Sequence, residues 1–244
     1  MSAEFVLWLS AAVFAVAVLY SSVGHAGASG YIAVMSLASL APEVIKPAAL
    51  CLNILVASIA SWHFMRAGHF SWRLFWPFAL LAVPLAFVGG HLTLPAQVFK
   101  ALLGAVLLFS ALRFAVDARE VPDTKPAPLL PALGCGAGIG LLSGLTGTGG
   151  GIFLTPLLLH MRWAQPQRAA AVSALFILLN SSAGLAGNLA STRALPEAML
   201  PLLAAAAAGG FIGSRLGSLH VPPWAIKRLL AAVLLIAGLK LILT

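Results

Sequence analysis

Residues Ser21–Gly30 read SSVGHAGASG and separate two apolar runs that would otherwise join into one long hydrophobic stretch. The segment contains three glycines, three serines and one histidine. Because glycine permits backbone angles that other residues avoid, a turn is the simplest interpretation. A binding site is the alternative, since irregular backbone inside hydrocarbon survives only where protein or a watery cavity surrounds it.

The chain as a whole has the composition of an integral membrane protein. Of its 244 residues, 61% are hydrophobic and 8% are charged, whereas soluble domains carry about 25% charged residues. We predict an all-α, polytopic fold of about eight to ten hydrophobic helices, some broken or re-entrant, because several apolar segments are shorter than the roughly 20 residues of a full crossing. The ten segments are 4–21, 26–40, 46–65, 72–91, 96–115, 128–143, 149–160, 168–188, 196–213 and 224–243.

The sequence predicts neither a cofactor nor a metal site. Cys51 and Cys135 lie in apolar segments, where a free cysteine behaves as a small hydrophobe. The six histidines are dispersed along the chain, without the clustered ligands that metal sites need. The formal charge of +8 comes from single basic residues between apolar runs, which is typical of charges that orient a membrane protein and does not indicate nucleic acid.

Two halves of the chain resemble each other across a polar, proline-containing stretch. GHAGASGYIAVMSL (24–37) aligns with GLTGTGGGIFLTPL (144–157), and KALLGAVLLFSALR (100–113) aligns with KRLLAAVLLIAGLK (227–240). Blocks that recur in the same order predict an internal duplication. The predicted parts are a first transmembrane repeat (1–116), a cytoplasmic linker (117–127) and a second transmembrane repeat (128–244).

The number of segments predicts the orientation of the two halves. Each half holds five apolar segments, and an odd number places duplicated units upside down relative to each other. Of the fourteen basic residues, four fall on the side of the termini and ten on the other. By the positive-inside rule, both termini are predicted to face away from the cytoplasm.

The glycine-rich stretches of both halves open an apolar segment, so each predicts a helix whose first N–H groups point into a loop. Such helix starts bind anions, and two of them in an inverted duplication can meet near the membrane midplane. The competing interpretation is a pair of surface turns or helix-packing motifs. The residues predicted to bind substrate are Ser22, Gly24, His25, Gly27, Ser29, Gly30, Asn53, Thr146, Gly147, Thr148, Gly149, Gly150, Gly151, Ser173 and Asn180.

These motifs, with PQRAAAVSALF at 166–176, resemble the sulfite exporter TauE/SafE family of bacterial membrane permeases. The likeness covers essentially the whole chain and is most specific in GLLSGLTGTGGGIFLTPLL (140–158), whereas the first half departs from the usual glycines with GHAGASG. The resemblance implies a multi-pass permease of the bacterial inner membrane, in which the charge distribution would make both termini periplasmic or extracellular. It also implies sulfite or an organosulfonate as the small anionic substrate and the lipid bilayer as a partner; a homodimer is left open.

The acidic residues favour passive exit of an anion. All six lie at segment ends or in loops, so none is placed to relay protons or hold sodium inside the membrane. We therefore expect a uniporter or exporter and no enzymatic activity. Three alternatives stay open: a rhomboid-like intramembrane serine protease, because residues 27–30 read GASG, a metal-ion transporter, and a structural membrane subunit.

Overall fold

The computed structural model describes residues 3–22, 25–115, 124–191 and 199–217, with single residues and short pieces from 231 onward, and its elements in these ranges are helices. Five of them are long and apolar enough to cross a membrane, which confirms the predicted all-α, polytopic membrane protein. The helices are α1 Ala3–Ser22, α2 Ala28–Leu37, α3 Pro42–Arg66, α4 Trp72–His91, α5 Ala96–Ala115, α6 Leu129–Thr146, α7 Gly151–His160, α8 Pro166–Ser191 and α9 Met199–Gly217.

The predicted segments agree with these helices to different degrees. The bounds of α4 and α5 coincide with the prediction, and α6 is an 18-residue helix although its segment looked short. The helices α2 and α7 have ten residues each, so each is about 15 Å long and cannot cross a bilayer alone. Most of the tenth predicted segment, 224–243, lies outside the described residues.

Glycines allow the helices of the two halves to pack with their backbones nearly in contact. Gly136, Gly140 and Gly144 follow one face of α6, and a Cβ at any of them would collide with the backbone of α4. Gly209 and Gly213 of α9 lie in the same way against the backbone of α1. Small residues are the usual means of close helix approach where water does not drive association.

The packing partners correspond between the halves. Helix α4 packs against α6 and α9 packs against α1, while α3 and α8 pack against each other. Each of these contacts joins a helix of the first half to a helix of the second. The pattern agrees with a duplicated layout, although the inverted duplication and the boundaries 1–116, 117–127 and 128–244 stay predictions.

Candidate functional site

The two short helices both begin at a glycine in the left-handed region. The N-cap of α2 is Gly27, with φ 99°, and the N-cap of α7 is Gly150, with φ 82°. Neither helix start has a side-chain cap hydrogen bond. Gly30, which the alignment of the halves pairs with Gly150, lies inside α2, and the glycine that starts α2 as Gly150 starts α7 is Gly27.

These two helix starts meet at one small cavity. Its volume is about 10 Å³, which is room for about one water molecule. None of the ten residues that line it is acidic. They are Tyr20, His25, Ala26, Gly27, Ala28, Ser29, Asn53, Thr148, Ile152 and Ile177.

The predicted site residues divide into those that line the cavity and those that do not. Five of them line it: His25, Gly27, Ser29, Asn53 and Thr148. Gly24 and the side chain of Ser22 lie outside the described residues. The remaining predicted residues are buried in protein near the helix starts or deeper between helices, and they are Gly30, Thr146, Gly147, Gly149, Gly150, Gly151, Ser173 and Asn180.

Asn53, at the middle of α3, connects the first half to the loop of the second. Its Nδ2 donates to the carbonyl oxygen of Thr148 and to Oγ of Ser181, both at 3.3 Å. The side chain is 0% exposed, and its Oδ1 has no hydrogen-bond partner in the described part of the chain. A buried acceptor left without a donor costs about 1–3 kcal/mol, so a ligand that donates a hydrogen bond would be favoured here.

Two tyrosines lie at the first-half side of the site, and the sequence analysis missed both. Tyr20 lines the cavity, and its Oη shares a hydrogen bond of 2.8 Å with Ser29 Oγ. The ring of Tyr31 lies behind Gly27, so that a Cβ added there would be 2.9 Å from Cζ, and the Tyr31 hydroxyl is buried without a partner among the described residues. A signal was present in the sequence, because the chain has two tyrosines and they bracket the SSVGHAGASG segment.

Several hydroxyl groups of the second half are engaged within the protein. Thr146 Oγ1 lies 2.7 Å from the carbonyl oxygen of Leu142, to which it donates, and 3.0 Å from Thr148 Oγ1. Ser173 Oγ accepts a hydrogen bond from Thr155 Oγ1 at 2.8 Å, which joins α7 to α8. Among the described residues of this half, Thr148 is the hydroxyl residue that lines the cavity.

Asn180 forms a second polar position, separate from the cavity. It is 0% exposed, and neither its Nδ2 nor its Oδ1 has a hydrogen-bond partner. It follows Phe176 by one helical turn, and a Cβ on Gly150 would be 2.9 Å from the Phe176 ring and 3.5 Å from Cβ of Ser143. The Ser143 hydroxyl is also buried and without a partner.

Lys46 is a buried cation that binds backbone. Its Nζ donates to the carbonyl oxygens of Gly89 at 3.1 Å, Gly90 at 2.9 Å and Leu92 at 3.3 Å. These oxygens lie at the carboxyl end of α4, where a helix carries partial negative charge. The ammonium group therefore caps the carboxyl end of α4, and this structural role explains why Lys46 is buried.

Comparisons with known proteins find similarity to membrane transport proteins. Residues 9–241 match the model of a family described as Sulfite exporter TauE/SafE. The chain is also 42% identical over 239 residues to the probable membrane transporter protein y4hK of Sinorhizobium fredii, covering 96% of this chain and 97% of that protein. No solved structure matches the chain. Both likenesses extend over nearly its full length, as the sequence motifs predicted.

Proposed function

This chain belongs to the sulfite exporter TauE/SafE family of membrane proteins, and from that premise we propose that it moves a small anion, sulfite or an organosulfonate, across the bacterial inner membrane. The substrate binds between the starts of α2 and α7. The observation that carries the proposal is the convergence of Gly27 and Ala28 with Thr148 and Ile152 on one cavity without an acidic lining residue.

The helix starts supply the attraction for an anion. The first N–H groups of a helix have no acceptor inside it, and together they act as roughly half a positive charge. At α2 the first turn begins with Ala28 and Ser29, both of which line the cavity. Two such helix starts at one position attract a negative ligand without the help of a basic side chain. Partial charges suit a transporter, because a transporter must also release its substrate.

The side chains refine the class of anion. Asn53 presents an acceptor, Oδ1, that has no donor among the residues that the structure describes. A ligand that carries both a negative charge and a hydrogen-bond donor would satisfy the helix starts and this oxygen together. Hydrogen sulfite has that combination, whereas chloride and the sulfate dianion do not. An amino-substituted sulfonate carries both groups too, but near neutral pH its ammonium group cancels the charge of the sulfonate, so the membrane potential would not drive it.

Transport requires the two loops to separate. A cavity of about 10 Å³ accommodates about one water molecule, and a sulfur oxyanion with at least four heavy atoms is larger. Movement of α2 would part the Tyr20–Ser29 hydrogen bond, and movement of the loop before α7 would part the Asn53–Thr148 contact. These are the contacts that we expect to break as the site opens.

The membrane potential is sufficient to drive export. An inside-negative potential expels an anion with about 2.3 kcal/mol per charge per 100 mV. No lining residue is a carboxylate that could bind sodium or relay a proton. We therefore propose uniport or export with both termini outside the cytoplasm.

We also propose that the GASG motif binds and does not catalyse. A serine nucleophile needs a general base within hydrogen-bond reach, and Ser29 Oγ is hydrogen-bonded to the phenol of Tyr20. Ser29→Ala should therefore reduce the flux of the anion without abolishing it.

The test is flux in proteoliposomes under an imposed potential, comparing sulfite, taurine, sulfoacetate, sulfate and chloride. We expect faster flux of sulfite or a sulfonate than of chloride and sulfate, accelerated when the donor side is negative. Gly27→Ala should lower that flux at least tenfold, while Gly68→Ala, at a second left-handed glycine with open space around it, serves as the matched control. Equal flux in the two variants, or strict dependence on sodium, would contradict the proposal.

A further inference from the structure

A larger cavity lies where α4, α6 and α8 begin. Its volume is about 540 Å³, which falls in the range of about 300–1,000 Å³ typical of ligand pockets. It shares no lining residue with the cavity between α2 and α7. The transport proposal gives this cavity no role, so the residues that line it must indicate which ligand it binds.

The walls of this cavity are basic. Arg73 comes from the first turn of α4, Arg168 from the first turn of α8, and Lys125 from the segment that precedes α6. None of the described residues that line the cavity is acidic. Three cations around one concave surface create a positive potential that favours a bound anion.

The helix starts add to this charge. The first turns of α4, α6 and α8 contain no acidic residue, although acidic residues are the ones that stabilise the positive end of a helix. Instead, two of the three first turns carry an arginine. Such a conflict between side-chain charge and helix dipole is expected at functional positions, and an anion at the helix starts would resolve it.

The cavity is built from packed elements. The backbone N–H of Lys125 donates to the carbonyl oxygen of Arg162 at 2.7 Å, which holds the segment before α6 against the connection between α7 and α8. Trp163 lines the cavity, and its ring centroid is 6.0 Å from that of Phe78. Trp76 adds a second indole to the lining, so the cationic groups are flanked by the amphipathic rings typical of membrane interfaces.

We propose that this cavity binds a phosphate group, carried by an anionic lipid or by a soluble phosphorylated compound. Arginine forks match the geometry of phosphate oxygens and form charge-assisted hydrogen bonds with them. The N–H groups at the starts of α4 and α8 provide further donors of the kind that bind phosphate in many proteins. This site is independent of the anion path, and its failure would leave the transport proposal unaffected.

The experiment measures the melting temperature of the full chain in detergent during titration with three probes. The probes are short-chain phosphatidic acid, phosphatidylcholine of the same chain length, and glycerol phosphate. We expect saturable stabilisation by phosphatidic acid, by glycerol phosphate, or by both, and a weaker effect of phosphatidylcholine. Stabilisation by phosphatidic acid alone assigns the lipid, and stabilisation by glycerol phosphate as well assigns the phosphate group itself.

The variant Arg73→Gln/Arg168→Gln should weaken this binding at least tenfold. Its matched control is Arg66→Gln/Arg215→Gln, which removes two arginines that stack on Trp62 and Phe211 at 4.3 and 4.5 Å from the ring centroids. Lys125→Gln provides a milder test if the double variant does not fold. Equal affinity of the wild type, Arg73→Gln/Arg168→Gln and Lys125→Gln would overturn the proposal, as would stabilisation by phosphatidylcholine as strong as that by phosphatidic acid.

Discussion

The starts of α2 and α7 share a backbone conformation but differ in the side chains that surround it. Both helices have ten residues and begin at a left-handed glycine. The first half lines the cavity with polar side chains, including Tyr20, His25 and Asn53. The second half adds Thr148 and two isoleucines. From this difference we propose that the residues of the first half determine selectivity and those of the second half provide rigidity.

The variant Gly149→Ala tests this division with the largest expected effect on flux. A Cβ there would collide with Nδ2 of Asn53 and lie 2.8 Å from Oγ of Ser181. Gly149→Ala should therefore combine backbone strain of about 1–3 kcal/mol with overpacking of about 1–3 kcal/mol, and flux should fall below a tenth of the wild-type value. Thermal unfolding and proteoliposome flux would be measured together.

The control for Gly149→Ala is Gly68→Ala. Gly68 has φ 73°, close to the 74° of Gly149, but a Cβ there would meet nothing within 4 Å. Only the backbone cost should remain, and flux should stay near that of the wild type. If the two variants lost the same stability, tight packing around the second-half loop would not be what makes it rigid.

The two fully buried asparagines give the second test, because one lies in each half. Asn53→Leu removes two hydrogen bonds and leaves the carbonyl of Thr148 and the hydroxyl of Ser181 without their donor, at a cost of about 1–3 kcal/mol. Asn180→Leu removes no hydrogen bond, since both amide atoms lack a partner. We expect at least a tenfold loss of flux for Asn53→Leu and unchanged or increased stability for Asn180→Leu. Abolished flux in a stable Asn180→Leu protein would instead assign Asn180 to the substrate path.

The two tyrosines provide the smallest test. Tyr20→Phe breaks the hydrogen bond to Ser29 and should reduce the free energy of unfolding by about 0.5–1.5 kcal/mol. Tyr31→Phe breaks no hydrogen bond and should leave stability unchanged while lowering flux a few-fold, if its hydroxyl meets the substrate as the loops open. Unchanged flux in both variants would show that neither tyrosine hydroxyl donates a hydrogen bond to the anion.

The fold was predictable to the extent that its signals are local. Hydrophobic length alone placed α4 and α5 at their bounds, and the density of glycines located the starts of the two short helices. Aligning letters nevertheless paired Gly30 with Gly150, because an alignment does not register which glycine adopts a positive φ.

The site was predictable only in outline, because its contacts join distant parts of the chain. The Asn53–Thr148 hydrogen bond spans 95 residues, so no local pattern indicates that this amide supports that loop. Ser173 and Asn180 share the polar character of Asn53, yet Ser173 pairs with Thr155 and neither lines the cavity. Residue type identified candidates, and tertiary packing selected among them.

Lys46 restricts which parts of the molecule can move. Its ammonium group is held by carbonyl oxygens at the end of α4, and withdrawing it would strand a positive charge in an apolar interior, which is strongly unfavourable. We therefore expect the start of α3 and the carboxyl end of α4 to stay together during a transport cycle, joined by this side chain. We expect the hinges at the connections on either side of α2 and α7. These two helices have ten residues each, so less of the protein has to move with them.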